Sequence, residues 1–107
     1  MKHMEIAKVE LLSNGQVAVS PTVADGLYQY IYRAAAGVEW VAEEGRFLSP
    51  SRYMAGAPFP LTAEQRFHNL ASAASSELGI RPKVSASTAW VGVPTDVRRS
   101  IEAAYSS

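Results

Sequence analysis

The first 20 residues alternate between apolar and polar side chains, which is the period-two pattern of half-buried β-strands. The two alternating stretches, 7–11 and 17–19, are separated by Ser-Asn-Gly, so the pattern predicts a β-hairpin. We predict a three-residue loop with Gly15 in the left-handed conformation, because this register pairs Val9 with Val19 and keeps the apolar side chains on one face.

Three further stretches in the first half of the chain have strand character. Residues 27–34 are rich in aromatic and β-branched side chains, which favour a pleated surface. Residues 38–42 and 46–49 form a second predicted hairpin around a three-residue Glu-Glu-Gly turn. In that register Val41 would face Phe47.

Periodicity changes in the second half of the chain. Apolar side chains recur at helical spacing over 63–78, which predicts an amphipathic helix. Thr62 and Gln65 have the spacing of a capping box at its start, and Gly79 is suited to a left-handed stop at its end. The remaining predicted elements are a strand at 83–91 and a last helix from Pro94 to about 105.

This order of elements predicts an α+β fold in a single domain over residues 1–107. Five strands precede the first helix, which indicates a mostly antiparallel sheet of five to six strands with two helices packed on one face. Alternatively, residues 63–91 form one crossover that places the last strand parallel to a neighbour.

Composition removes several classes of function. The chain has 107 residues, 48% of them hydrophobic, with no net charge and no cysteine. This composition is typical of a globular protein. Because cysteine is absent, disulfides, thiolate metal sites and a cysteine nucleophile are excluded. The absence of a basic excess argues against nucleic-acid binding. The sequence shows neither an 18-residue apolar run nor a secretory signal, so we expect a cytoplasmic protein without a membrane partner.

A tyrosine stripe is the first candidate for function. On a strand, Tyr28, Tyr30 and Tyr32 would project from the same face. Three interpretations stay open: the rings line the core, they anchor a protein interface, or they stack nucleic-acid bases.

An arginine–aromatic cleft is the second candidate. Arg33 precedes a predicted bend and lies near Trp40 in sequence, and Arg52 and Tyr53 lie in a Pro-rich loop over 50–61. If bend and loop close over one cleft, its guanidinium groups would recognise a carboxylate or phosphate. The alternative is that Arg33 forms an ordinary surface ion pair with an acidic neighbour.

Catalysis has weaker support. His68 and Glu64 are one helical turn apart and would serve as an acid–base pair in a small enzyme of unrecognised type, although such pairs are commonly surface contacts. No spacing of ligands predicts a metal site, and no cofactor is expected.

Four segments resemble small uncharacterised bacterial proteins, including proteins encoded in integron gene cassettes. They are residues 30–40 (YIYRAAAGVEW), 47–50 (FLSP), 88–90 (TAW) and 93–94 (VP). The resemblance implies a bacterial, cytoplasmic protein of the mobile gene pool and implies no chemistry.

The sequence as a whole therefore predicts an interaction domain rather than an enzyme. Acidic residues exceed basic ones over 21–50, and the reverse holds over 81–107. Low net charge with oppositely charged segments favours self-association. We expect a homodimer or higher homo-oligomer that binds a protein partner or a small anionic ligand.

Overall fold

The computed structural model describes residues 2–50 and 61–106. Its first two strands, β1 (Lys2–Leu11) and β2 (Val17–Pro21), form the predicted antiparallel hairpin. Val9 pairs with Val19, and Gly15 has a φ of +89° in the connecting loop. The predicted register is confirmed.

Strand β1 changes the face it presents to the core along its length. Met4 and Ile6 are buried in its first half, and Val9 is buried in its second half. A β-bulge between Ile6 and Lys8 accounts for the change, because one extra residue reverses the alternation of side chains.

The predicted strand at 27–34 is wrong, because the chain forms a 3-10 helix over Gly26–Ala34. The Asp25 side chain accepts a hydrogen bond from the backbone N–H of Leu27 and caps the helix. Tyr28 and Ile31 are buried, and their spacing of three residues matches the period of a 3-10 helix.

The second hairpin has a different register from the predicted one. In the hairpin of β3 (Glu39–Val41) and β4 (Arg46–Leu48), Trp40 faces Phe47 and Val41 faces Arg46. Four residues, 42–45, connect the strands instead of three, which moves every pair by one position.

The helix predicted at 63–78 is present and has the predicted ends. Helix α1 (Ala63–Ala73) begins at a complete capping box of Thr62 and Gln65. It continues through a π-helical turn (Ala74–Leu78) and ends at Gly79, which has a φ of +65°.

The predicted strand at 83–91 is interrupted. Strands β5 (Ile80–Lys83) and β6 (Ala89–Val91) are separated by a loop, and helix α2 (Thr95–Tyr105) follows. Where the chain leaves the sheet, the buried Thr88 hydroxyl donates a hydrogen bond of 2.8 Å to the carbonyl oxygen of Ile6. This side chain takes the place of a backbone partner for β1.

The six strands form one sheet in the order β3-β4-β2-β1-β5, with β6 also paired to β1. Pairings among β1 to β4 are antiparallel, whereas β5 and β6 run parallel to β1, as the crossover alternative required. The α+β prediction is confirmed in a single domain with a mostly antiparallel sheet. The described residues contain three helices instead of two, because the 3-10 helix replaces a predicted strand.

The hydrophobic core lies between the sheet and the helices. Helix α1 contacts both α2 and β2, and the 3-10 helix contacts the π-helical turn. The largest fully buried side chains include Phe47, Phe67, Ile31, Leu70 and Ile101. In the part of the chain that the structure describes, no helix has the length and apolar character needed to cross a membrane.

Candidate functional site

The tyrosine stripe does not form, because its members lie on a 3-10 helix. Tyr28 is buried, whereas the Tyr32 side chain is 62% exposed. Tyr28 packs edge-on against Trp40 with ring centroids 5.2 Å apart, and both rings contact Phe47. Burial raises the pKa of the Tyr28 hydroxyl, and the negative charge of Asp25 raises it further. Tyr28 and Trp40 are therefore part of a core aromatic cluster.

Tyr30 and Arg33 share the outer side of the same helix. The Arg33 guanidinium lies 4.4 Å from the centroid of the Tyr30 ring. This contact follows from the 3-10 geometry, which aligns residues three apart. The Tyr32 ring is 6.5 Å from that of Tyr30. Among the described residues, Arg33 has no ion pair with a carboxylate, so the surface-bridge alternative does not describe this contact.

The predicted cleft is not assembled by the residues that the structure describes. Arg52 and Tyr53 lie outside the described residues. Of the other members, Trp40 is committed to the core cluster and Arg33 stacks on Tyr30 outside it. The described part of the chain therefore places the better-formed candidate site elsewhere.

His68 lies on α1 at the centre of a polar chain. Its Nδ1 atom is 2.8 Å from the hydroxyl of Tyr105 on α2. Its Nε2 atom is 3.6 Å from Oε1 of Glu64, which also accepts a hydrogen bond from the Ser100 hydroxyl. A carboxylate, an imidazole and a phenol therefore lie in a row across the contact between the two helices, with a hydrogen bond between the imidazole and the phenol.

A cavity of about 320 Å³ lies beside this chain. Helix α1 and its π-helical turn contribute one face, since residues 68, 71, 72, 75 and 76 recur at helical spacing. Strand β5 contributes Arg81 and Pro82, and α2 contributes Tyr105. The π-helical turn lies directly at the cavity, and such turns are frequent at functional sites.

Two hydrogen bonds fix strand β5 against the end of α2. Nη2 of Arg81 donates to the carbonyl oxygen of Ala104 at 2.8 Å. The backbone N–H of Val84, the residue after β5, donates to the carbonyl oxygen of Tyr105 at 2.9 Å. The Arg81 guanidinium also lies 5.1 Å from the centroid of the Tyr105 ring. These contacts hold a positive charge and a phenol at the same cavity wall.

Tyr105 is neutral at physiological pH. Burial raises the pKa of its hydroxyl, and the nearby Arg81 lowers it to a smaller extent. A neutral phenol both donates and accepts a hydrogen bond. Its ring packs edge-on against Phe67 with centroids 5.1 Å apart, so the hydroxyl is held in place by the core.

The cavity has the chemistry of an anion site. Its lining among the described residues includes Arg81, His68 and several hydroxyl groups, and it includes no carboxylate. Across residues 2–50 and 61–106, no group of three His, Asp or Glu side chains could hold a metal ion. Sequence reasoning identified His68 and Glu64 but missed Tyr105 and Arg81, which reach the site from other elements. The sequence did carry a signal for Tyr105. It lies on the predicted apolar side of the last helix, and the hydroxyl of a buried tyrosine needs a hydrogen-bond partner.

A second cavity of about 240 Å³ lies at the start of β1. It combines Lys2 and His3 with Glu5 and Asp25, so groups that can carry either sign of charge line one space. This mixture favours no single ligand charge.

No protein-family model matches the chain, and no curated protein matches it. Among solved structures, a match is "Structure from the mobile metagenome of North West Arm Sewage Outfall: Integron Cassette Protein Hfx_Cass5". The two chains are 28% identical, and the match covers 97% of this chain and 96% of that one, with a TM-score of 0.42. The resemblance predicted from the sequence is confirmed to this extent: the chain is similar to an integron cassette protein.

Proposed function

We propose that this protein is a binding domain for a small anionic ligand, which occupies the cavity between α1, β5 and the end of α2. The observation that carries the proposal is the lining of that cavity. Arg81, His68 and the Tyr105 hydroxyl meet there, and the described lining includes no carboxylate. Arginine suits the recognition of carboxylate or phosphate because its planar fork donates two parallel hydrogen bonds.

A binding role is better supported than an acid–base role for His68. Nδ1 of His68 is hydrogen-bonded to Tyr105, and Nε2 faces Glu64. Both ring nitrogens therefore face protein groups, and a substrate would have to displace one of them before proton transfer. The pair remains the alternative for an enzyme, because it lies beside a cavity, as general acid–base catalysis requires.

The proposal is tested by measuring the binding of sulfate and inorganic phosphate by isothermal titration calorimetry. Replacing Arg81 with glutamine is expected to weaken binding at least about tenfold, since a hydrogen bond to a charged group contributes about 1.5–3 kcal/mol. Arg99→Gln is the matched control, because Arg99 is exposed on α2 and is not in the cavity lining. Circular dichroism establishes that both variants fold. Equal affinities of Arg81→Gln and the wild type would contradict the proposal.

Self-association remains a prediction from the sequence. Three exposed apolar side chains on one short segment support it: Val23 is 74% exposed, and Leu27 and Tyr32 are each 62% exposed. Sedimentation equilibrium over a wide concentration range measures the mass in solution. A mass that stays that of one chain at the highest concentration excludes self-association.

A further inference from the structure

The geometry points to a ligand of a specific class: a tetrahedral dianion such as phosphate or a phosphate monoester, whose binding is coupled to the uptake of one proton by His68. This inference rests on the proposed function. It follows from the direction of the hydrogen bond between His68 and Tyr105 and from the carboxylate of Glu64 beside the imidazole.

The neutral form of His68 presents an unfavourable surface to an anion. Glu64 faces Nε2 at 3.6 Å, and a carboxylate favours the tautomer with the hydrogen on Nε2. Nδ1 then carries a lone pair, so the Tyr105 hydroxyl, 2.8 Å away, donates its hydrogen to the ring. Only the lone pairs of the phenol oxygen remain for the cavity, and these repel an anion.

Protonation of His68 reverses this hydrogen bond. Both ring nitrogens are donors in the imidazolium form, so Nδ1 donates to the Tyr105 oxygen. The phenol hydrogen is then free to point into the cavity and to donate to a bound anion. One proton from solvent therefore adds a positive charge and changes Tyr105 from an acceptor into a donor.

The charges around His68 come from three elements. Glu64 on α1 faces Nε2 at 3.6 Å, Tyr105 on α2 is hydrogen-bonded to Nδ1, and Arg81 on β5 contributes a positive charge to the cavity lining. Arg81 and protonated His68 together match the two negative charges of a dianion. The bound anion in turn favours the protonated imidazole, which is why binding and proton uptake are coupled.

The number of donors favours a tetrahedral group. Arg81, Tyr105 and the exposed Ser72 line the cavity from β5, α2 and α1, so each of three elements offers a donor to a bound anion. A planar carboxylate offers only two oxygen atoms to such a set. The cavity of about 320 Å³ also exceeds the roughly 30 Å³ share of one water in the liquid about tenfold, which leaves room for an organic group.

The test uses sulfate and methanesulfonate, two tetrahedral probes that differ in charge and do not titrate between pH 5.5 and 8.5. Calorimetry with the full chain is expected to give sulfate about tenfold tighter binding at pH 5.5 than at pH 8.5, which is about the factor that one hydrogen bond to a charged group contributes. Methanesulfonate is expected to bind more weakly than sulfate at pH 5.5. Titrations in buffers of different ionisation enthalpy should show uptake of a proton with sulfate.

Variants test whether the pH dependence of sulfate binding arises from His68 and Tyr105. His68→Asn is expected to bind sulfate with the same affinity at both pH values, and Tyr105→Phe to lose affinity mainly at pH 5.5. His3→Asn and Tyr32→Phe are matched controls that should behave as the wild type, because neither residue lines this cavity. Inorganic phosphate and glycerol phosphate are then compared at pH 8, where each is mainly the dianion. Tighter binding of the ester supports a phosphate monoester as the ligand class, and tighter binding of inorganic phosphate supports the free dianion.

The two proposals fail in different ways. Binding of sulfate that is independent of pH would overturn the inference, and so would equal affinities for sulfate and methanesulfonate. In either case, weaker binding by Arg81→Gln would still support the anion site. Retention of the full pH dependence in folded His68→Asn would also overturn it. Failure of sulfate, phosphate and methanesulfonate to bind at any pH would refute the proposed function itself.

Discussion

Replacing Gly15 with alanine is expected to destabilise the protein by about 3 kcal/mol, because two independent constraints act at this position. Its φ of +89° is a conformation that L-amino acids rarely adopt. A Cβ atom added there would also lie 2.8 Å from Nη1 of Arg66. Arg66 is 3% exposed and donates a hydrogen bond from Nη1 to the Gly15 carbonyl oxygen, so its end is held in place.

A second glycine separates the two contributions to the loss of stability in Gly15→Ala. Gly45 ends the other hairpin turn with a φ of +65°, and a Cβ atom there would meet nothing within 4 Å. Gly45→Ala therefore measures the backbone strain alone, roughly 1–2 kcal/mol less the entropy that alanine removes from the unfolded chain, or about 1 kcal/mol net. Gly15→Ala adds the disturbance of a hydrogen bond from a charged group, about 1.5–3 kcal/mol.

The assay is urea denaturation followed by tryptophan fluorescence, with Trp40 and Trp90 as reporters. The free energies of unfolding are compared among variants with the same dependence on urea. Gly26→Ala is the control for a glycine with neither constraint, since its φ is not positive and nothing lies within 4 Å of an added Cβ. Equal losses for Gly15→Ala and Gly45→Ala would refute the role assigned to Arg66.

Three further predictions concern other elements. Thr62→Ala is expected to cost about 1 kcal/mol by removing the capping box of α1, whereas Thr95→Ala should cost little because no side chain caps α2. Thr88→Val should cost about 1–3 kcal/mol in urea denaturation, since it leaves the buried carbonyl of Ile6 without its side-chain donor. Stability should fall above about pH 10, because burial raises the pKa of Tyr28 and the unfolded chain ionises first. Tyr28→Phe should reduce this loss between pH 9 and pH 11, measured by thermal denaturation, and an unchanged alkaline profile would contradict that assignment.

Elements with local signals were predictable from the sequence. The register of the first hairpin follows from alternation and from Gly15, and both lie within a few residues of the pairs they determine. The ends of α1 follow from Thr62 and Gly79 for the same reason. Each signal acts through the backbone of its own segment, so no distant contact is needed to interpret it.

Elements whose form depends on packing were not predictable in the same way. Residues 26–34 have high β-propensity, but that propensity measures how a side chain packs on a sheet rather than a preference of the backbone. The burial of Tyr28 and Ile31, three residues apart, decides in favour of a 3-10 helix. The Asp25 cap was a local signal for this helix. Residues 84–88 leave the sheet, and the contact that accompanies this interruption, the hydrogen bond from Thr88 to Ile6, joins residues far apart in the sequence.

The candidate site was predictable only in part. His68 and Glu64 were identified because they are one turn apart on one helix. Tyr105 and Arg81 come from α2 and β5, and no spacing along the chain relates them to His68. A site built from three elements becomes visible only when the crossover brings those elements together.

The parallel pairing of β1 has a consequence for the order in which the molecule folds. Its hairpin partner follows within a few residues, whereas its partners on the other edge are residues 80–83 and 89–91. Contacts between residues this distant along the chain form slowly, because the intervening loop must close first. During synthesis, the outer edge of β1 therefore stays unpaired until the last strands have left the ribosome. An unpaired edge is a template for association with another chain, so the growing polypeptide is most prone to aggregate before β5 and β6 are added.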